Sequence, residues 1–213
     1  MKHFYEDSRR AVKETGFTEV VFADDLNAFK EMAVTADNQE AFALAKTCQT
    51  ELHLWGKANQ VTFEATKESF HVVSHRTPEG EDFKILGVLF DCELKMAGAV
   101  HKLAGEARWK LRALQKSAVY HTDAELVTLY KSRLLGYLEY RTPALYHATD
   151  TVLAALDKVQ DKLLQVVGCT EVEALLNWNL APLAMRRDIA MLGLIHRTVT
   201  GRGPSHFKKF FHL

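Results

Sequence analysis

The chain reads as an α+β protein: a mixed first half built around an antiparallel hairpin, then an all-helical second half. Three observations predict this. Short apolar runs at residues 19–23 and 26–32 flank an acidic pair, Asp24-Asp25. Short β-like runs punctuated by turns continue to about residue 90. Beyond Asp91 the apolar residues recur only at helical spacing.

In order, the first hairpin is expected to carry Asp24-Asp25 at its tip, although the turn lacks Asn-Gly. Asp37, with Glu40 three positions later, predicts a capping box. It opens a helix through Ala41, Leu44, Ala45, Cys48, Leu52 and Trp55, which Gly56 is placed to end. Residues 61–64 and 69–74 read as short strands, and Thr77-Pro78-Glu79-Gly80 as a turn. Residues 83–90 read as one further strand with Gly87 inside it, the mark of a bulge or a close backbone approach.

Four helices are expected after that. Val100, Leu103, Ala104, Ala107, Leu111 and Leu114 form the stripe of the first. Thr122 and Glu125 form a capping box for the second, through Leu126, Tyr130, Leu134 and Tyr137, which Pro143 limits. The third starts near Asp150 with Val152, Leu156, Val159, Leu163 and Val166 inward and stops at Gly168. The fourth runs from Pro182 to about Thr200 with Ile189, Leu192 and Ile195 inward. The boundary falls near Leu94, giving residues 1–94 and 95–213.

Composition is ordinary for a globular chain, with 47% hydrophobic and 25% charged residues. No apolar run is long enough for a transmembrane helix, and the N-terminus does not read as a secretory signal. Cys48, Cys92 and Cys169 are scattered and odd in number, which fits a reducing, intracellular setting. Zero net charge hides an asymmetry. Residues 1–94 hold 10 basic and 17 acidic groups, and the remainder 17 and 10. Acidic residues suit metal ions and basic ones a polyanion, though chance also produces such imbalances.

Adjacent carboxylates at a hairpin tip suit magnesium, a hard ion that prefers oxygen ligands. Phosphoryl transfer by polymerases uses two such ions. Side chains alternate along a strand, so both carboxylates serve only if the turn rotates one, and a further carboxylate is needed. The other reading is a solvated turn. The first half of the last region, residues 95–116, carries Lys95, Lys102, Arg108, Lys110, Arg112 and Lys116 against Glu106 alone. That suits phosphate contacts without base reading, or a solvated amphipathic helix. Trp109 is expected to pack and less so to stack.

Phe22-Ala23-Asp24-Asp25, after Val20-Val21 and before Leu26-Asn27-Ala28, resembles motif C of non-LTR retrotransposon reverse transcriptases. Trp55-Gly56, Asn59 and Lys67-Glu68-Ser69 resemble that family's motif D, and Ile85-Leu86-Gly87 its primer-grip strand. Leu129-Tyr130-Lys131-Ser132, Leu138-Glu139-Tyr140, residues 156–160 and Leu180-Ala181-Pro182-Leu183 with Arg186-Arg187 are similar to its post-palm helices.

The resemblance implies a partial palm followed by a helical thumb of an RNA-directed DNA polymerase. It implies Asp24 and Asp25 as catalytic magnesium ligands, Lys67 at the nucleotide triphosphate, and Leu86 and Gly87 at the primer grip. Lys102, Arg108, Lys110, Arg112 and Lys116 would lie along the duplex. RNA template, DNA primer and deoxynucleotides would be the partners, and the nucleus a compartment open to such a protein. The family's pattern begins before residue 1, with fingers, a motif A aspartate and motif B. Glu6, Asp7, Glu14 and Glu19 do not sit in a motif A context. The chain is therefore expected to be a fragment, inactive by itself. The alternative is a non-catalytic nucleic-acid-binding module or a degenerate remnant.

Overall fold

A computed structural model describes residues 6–23, 25–33, 35–203 and 207. The fold is α+β, with two small antiparallel hairpins and a helical C-terminal region. The chain divides into two compact units, Met1–Phe83 and Lys84–Leu213.

The first unit begins with α1, Glu6–Glu14, a helix that the sequence reading does not anticipate. The expected hairpin forms from β1, Thr18–Phe22, and β2, Asp25–Phe29. Its register pairs Thr18 with Phe29 and Phe22 with Asp25. The buried side of β1 is not apolar throughout. The Glu19 side chain is 7% exposed and sits 3.6 Å from Arg9 and 3.9 Å from Lys13, both on α1. Val20, Phe22 and Phe29 face outward.

Helix α2, Asn38–Ala58, follows. Asp37 caps it as expected, but its carboxylate accepts from the Gln39 amide and not in a reciprocal box with Glu40. Gly56 does not end the helix, which runs on to Ala58 with Asn59 as its cap. A side chain at residue 56 would lie 2.8 Å from the Val61 carbonyl and from the Phe63 ring. This glycine therefore serves close approach, a different use of the same missing Cβ.

Residues 61–64 and 69–74 do not form strands. A single bridge, Val72 to Glu79, and a short 3₁₀ turn, Ala65–Lys67, take their place. Strands need a ladder of partners, and here side chains do the tying. Asn38 donates to the Thr77 carbonyl at 3.2 Å and to Glu79 at 2.8 Å. His53 on α2 meets Glu68 at 2.9 Å, and Gln49 donates to the same carboxylate.

The single strand expected at residues 83–90 is a second hairpin, β3 (Phe83–Ile85) and β4 (Val88–Phe90). Leu86 and Gly87 form its two-residue turn, with φ of 49° and 78°. Two positive φ values in succession match the twist of hairpin strands, and Asn-Gly is the favoured pair. Leucine is a poor occupant, since its Cβ crowds the backbone in the left-handed region. It is 41% exposed, so little burial would be lost on replacement. Leu86→Asn is expected to stabilise the protein by about 1 kcal/mol, read as a rise in Tm. A fall would show that the leucine makes a contact worth more than its strain.

Asp91 then sets the start of α3, Ala97–Ser117. Its carboxylate accepts from the amides of Lys95 at 2.9 Å and Met96 at 2.6 Å. Helical segments follow in order: α4 (Asp123–Tyr130), a π-helical stretch (Lys131–Leu135), α5 (Gly136–Glu139) and α6 (Thr142–Leu145). The Thr122–Glu125 capping box forms as expected. Helix α7, Asp150–Val167, ends at Gly168 in the left-handed region, also as expected. Helix α8, Glu171–Trp178, has its own Thr170–Glu173 capping box. Helix α9, Leu183–Val199, comes last.

The core lies in this unit, where α3 against α7 is the most extensive helix contact. Val100, Leu103, Ala107 and Leu111 of α3 are buried with Tyr130 of α4 and Leu156, Val159 and Leu163 of α7. Gln160 is buried among them, accepting from the Tyr130 hydroxyl at 3.4 Å and donating to the Ala181 carbonyl at 3.0 Å. Burial pushes the Tyr130 hydroxyl well above its usual pKa.

Helix α9 departs from expectation. Ile189, Leu192 and Ile195 are 61%, 64% and 37% exposed, and Leu183, Arg187 and Thr198 are buried instead. No helix among the described residues is long and apolar enough to cross a membrane.

Candidate nucleic-acid interface

Helix geometry decides which α3 residues can face a ligand. At about 100° per residue, the buried stripe Val100, Leu103, Ala107, Leu111 and Leu114 covers one side. The opposite side carries Lys102, Gly105, Arg108, Trp109, Arg112 and Lys116, all exposed. No carboxylate lies on that arc. None of Lys102, Arg108, Arg112 and Lys116 makes an ion pair among the described residues. Arg108 donates only to its own helix, from Nε to the Ala104 carbonyl at 3.1 Å.

Lys110 belongs elsewhere. Its ammonium lies 5.0 Å from the centre of the Tyr137 ring, which also carries the Arg141 guanidinium at 5.2 Å. Glu106, the single acidic residue of α3, accepts from the Tyr137 hydroxyl and lies 3.8 Å from Arg141. Burial pushes the Tyr137 hydroxyl up, and the Glu106 carboxylate beside it adds to that. This cluster draws off one of the five expected phosphate-binding residues together with the helix's one acid. The charges that stay on the outer face, Lys102, Arg108, Arg112 and Lys116, are all positive.

Trp109 corrects the expectation of packing. It is 71% exposed, whereas Trp55 and Trp178 are half-buried. The signal was in the sequence: residue 109 lies off the apolar stripe and in line with Lys102 and Lys116, seven residues to either side.

Asp24 lies outside the described residues. Asp25 is exposed at the start of β2. Lys67 ends the 3₁₀ turn with its side chain 79% exposed, and its ammonium pairs with Glu64 at 2.7 Å. That hydrogen bond holds the Glu64 carboxyl below its usual pKa. Leu86 and Gly87 occupy the β3–β4 turn. Among the described residues no three His, Cys, Asp or Glu side chains converge as a metal site would require.

Comparison with protein-family models, with curated proteins and with solved structures finds no match for this chain.

Proposed function

We propose that this chain is a palm-and-thumb portion of a reverse-transcriptase-type polymerase and that its own activity is binding nucleic-acid backbone through α3. The lineage rests on Phe22-Ala23-Asp24-Asp25 and the ordered motifs after it. The binding rests on one observation: four cations on one helix face with no acidic partner among the described residues. Surface cations are ordinarily interspersed with acids. A face of one sign attracts a polyanion and releases its counterions on contact.

The test is a salt series of fluorescence anisotropy with labelled RNA or DNA. Contacts to about three or four phosphates give log K a slope of about −2 to −3 against log salt on a single strand. The triple variant Lys102→Glu, Arg112→Glu, Lys116→Glu should lose most of the affinity and flatten that slope. It should keep the fold, because all three positions are exposed. Binding that the triple variant leaves intact would place the contact elsewhere, and no binding at low salt would overturn the reading.

A further inference from the structure

The cations say that the ligand is anionic; they do not say what kind. Trp109 carries that information. It is the largest aromatic on the outer face of α3, and it sits in the middle of the charges. Lys102, Trp109 and Lys116 are spaced by seven residues each, so they fall nearly in line, about 10.5 Å apart along the axis. Arg108 and Arg112 flank the ring within one turn.

The row is also open. The residues one turn before and after Trp109 are Gly105 and Ala113. A Cβ added at Gly105 would meet nothing within 4 Å. The indole itself stays 71% exposed. A helix that needed only to stay soluble would place a polar residue here. A flat ring between cations, left uncovered, has the layout of a stacking platform with phosphate clamps.

From this layout we infer that α3 grips nucleic acid with unpaired bases, one base stacking on Trp109 while Lys102, Arg112 and Lys116 hold phosphates on either side. The inference rests on the phosphate-binding reading above and sharpens it. A duplex offers the same phosphates but keeps its base faces inside the stack, so it can satisfy the cations and not the ring. Lys102 to Lys116 spans about 21 Å of helix axis, enough for a few nucleotides of an extended strand.

The experiment uses the full chain and three probes: a single-stranded RNA of about twelve nucleotides, the matching duplex, and inorganic polyphosphate. Single-stranded RNA is expected to bind tightest. Trp109→Ala should weaken it about tenfold, the range of one stacked base, and leave polyphosphate binding unchanged. Trp109→Phe should retain part of the affinity. Indole fluorescence should be quenched on adding the strand, and the quenching should vanish in Trp109→Phe.

If Trp109→Ala binds all three probes as the parent does, while the triple charge variant binds none, stacking is wrong and phosphate binding survives. Loss of all three probes equally in a folded Trp109→Ala would make the ring structural and also overturn the inference. If nothing binds even at low salt, both readings fall. An acidic peptide binding more tightly than the RNA would assign the face to a protein partner and overturn both.

Discussion

Leu103→Ala is expected to cost the second unit about 3 kcal/mol. Leu103 is fully buried on the α3 face against α7. Truncation removes the transfer energy of the lost methyl groups and leaves a cavity that two long helices cannot collapse to fill. Lys102→Ala, one residue away on the exposed face, is the internal control and should change stability by no more than about 0.5 kcal/mol. Urea denaturation followed by circular dichroism separates the two. A loss below about 1 kcal/mol for Leu103→Ala would mean that the α3–α7 seam is not the centre of the core.

Asp157→Ala should cost nearly as much, by a different cause. Arg187 is 8% exposed, and it donates from Nη1 to Asp157 Oδ1 at 2.7 Å and from Nη2 to Oδ2 at 3.0 Å. This two-pronged pair joins α7 to α9. Removing the carboxylate strands a guanidinium away from water, a loss of about 3 kcal/mol. The cost belongs to the abandoned charge more than to the bond. The double variant Asp157→Leu, Arg187→Met should therefore recover most of the stability, since a well-packed apolar pair is often neutral or better. Urea midpoints of the single and double variants test this. A double variant no better than the single one would show that the pair itself, and not the orphaned charge, carries the energy.

Local signals were legible where they depend on a few neighbouring residues. The β1–β2 hairpin, the Thr122–Glu125 box, the Gly168 stop and the α3 stripe all follow from spacing that the chain satisfies by itself. Helix α8 carries the same box as α4, Thr170 with Glu173, so its start too is marked in the sequence. The strands expected at residues 61–64 and 69–74 failed for another reason. Strand propensity does not supply a partner, and here Asn38, His53 and Gln49 hold the segment from α2 instead. Leu86-Gly87 shows the limit of reading glycine alone, since its neighbour's positive φ turned one expected strand into two.

Periodicity also gives a helix axis without saying which side turns inward. In α3 the apolar stripe is the buried one. In α9 it is not, because Arg187 finds Asp157 and takes the inward position. At the interface, the basic face was legible as a count of lysines and arginines. Its purity was not, because that depends on Tyr137 and Arg141 drawing Glu106 and Lys110 aside.

The inverted orientation of α9 determines how that helix comes loose. Near its start its moorings are polar: Arg187 to Asp157, Arg186 to Glu139, and the Tyr146 hydroxyl to Asp188 at 2.8 Å. Beyond Leu183, which sits in the core, the large apolar residues Ile189, Leu192 and Ile195 of this helix are already exposed, so its detachment adds less to the heat capacity than loss of the α3–α7 seam would. It depends on ionic strength instead, through the pairs open to water. Added salt thus works in one direction on two parts of the same unit. It would weaken the phosphate binding proposed for α3 and loosen the start of α9, while the α3–α7 seam, held by burial, remains closed.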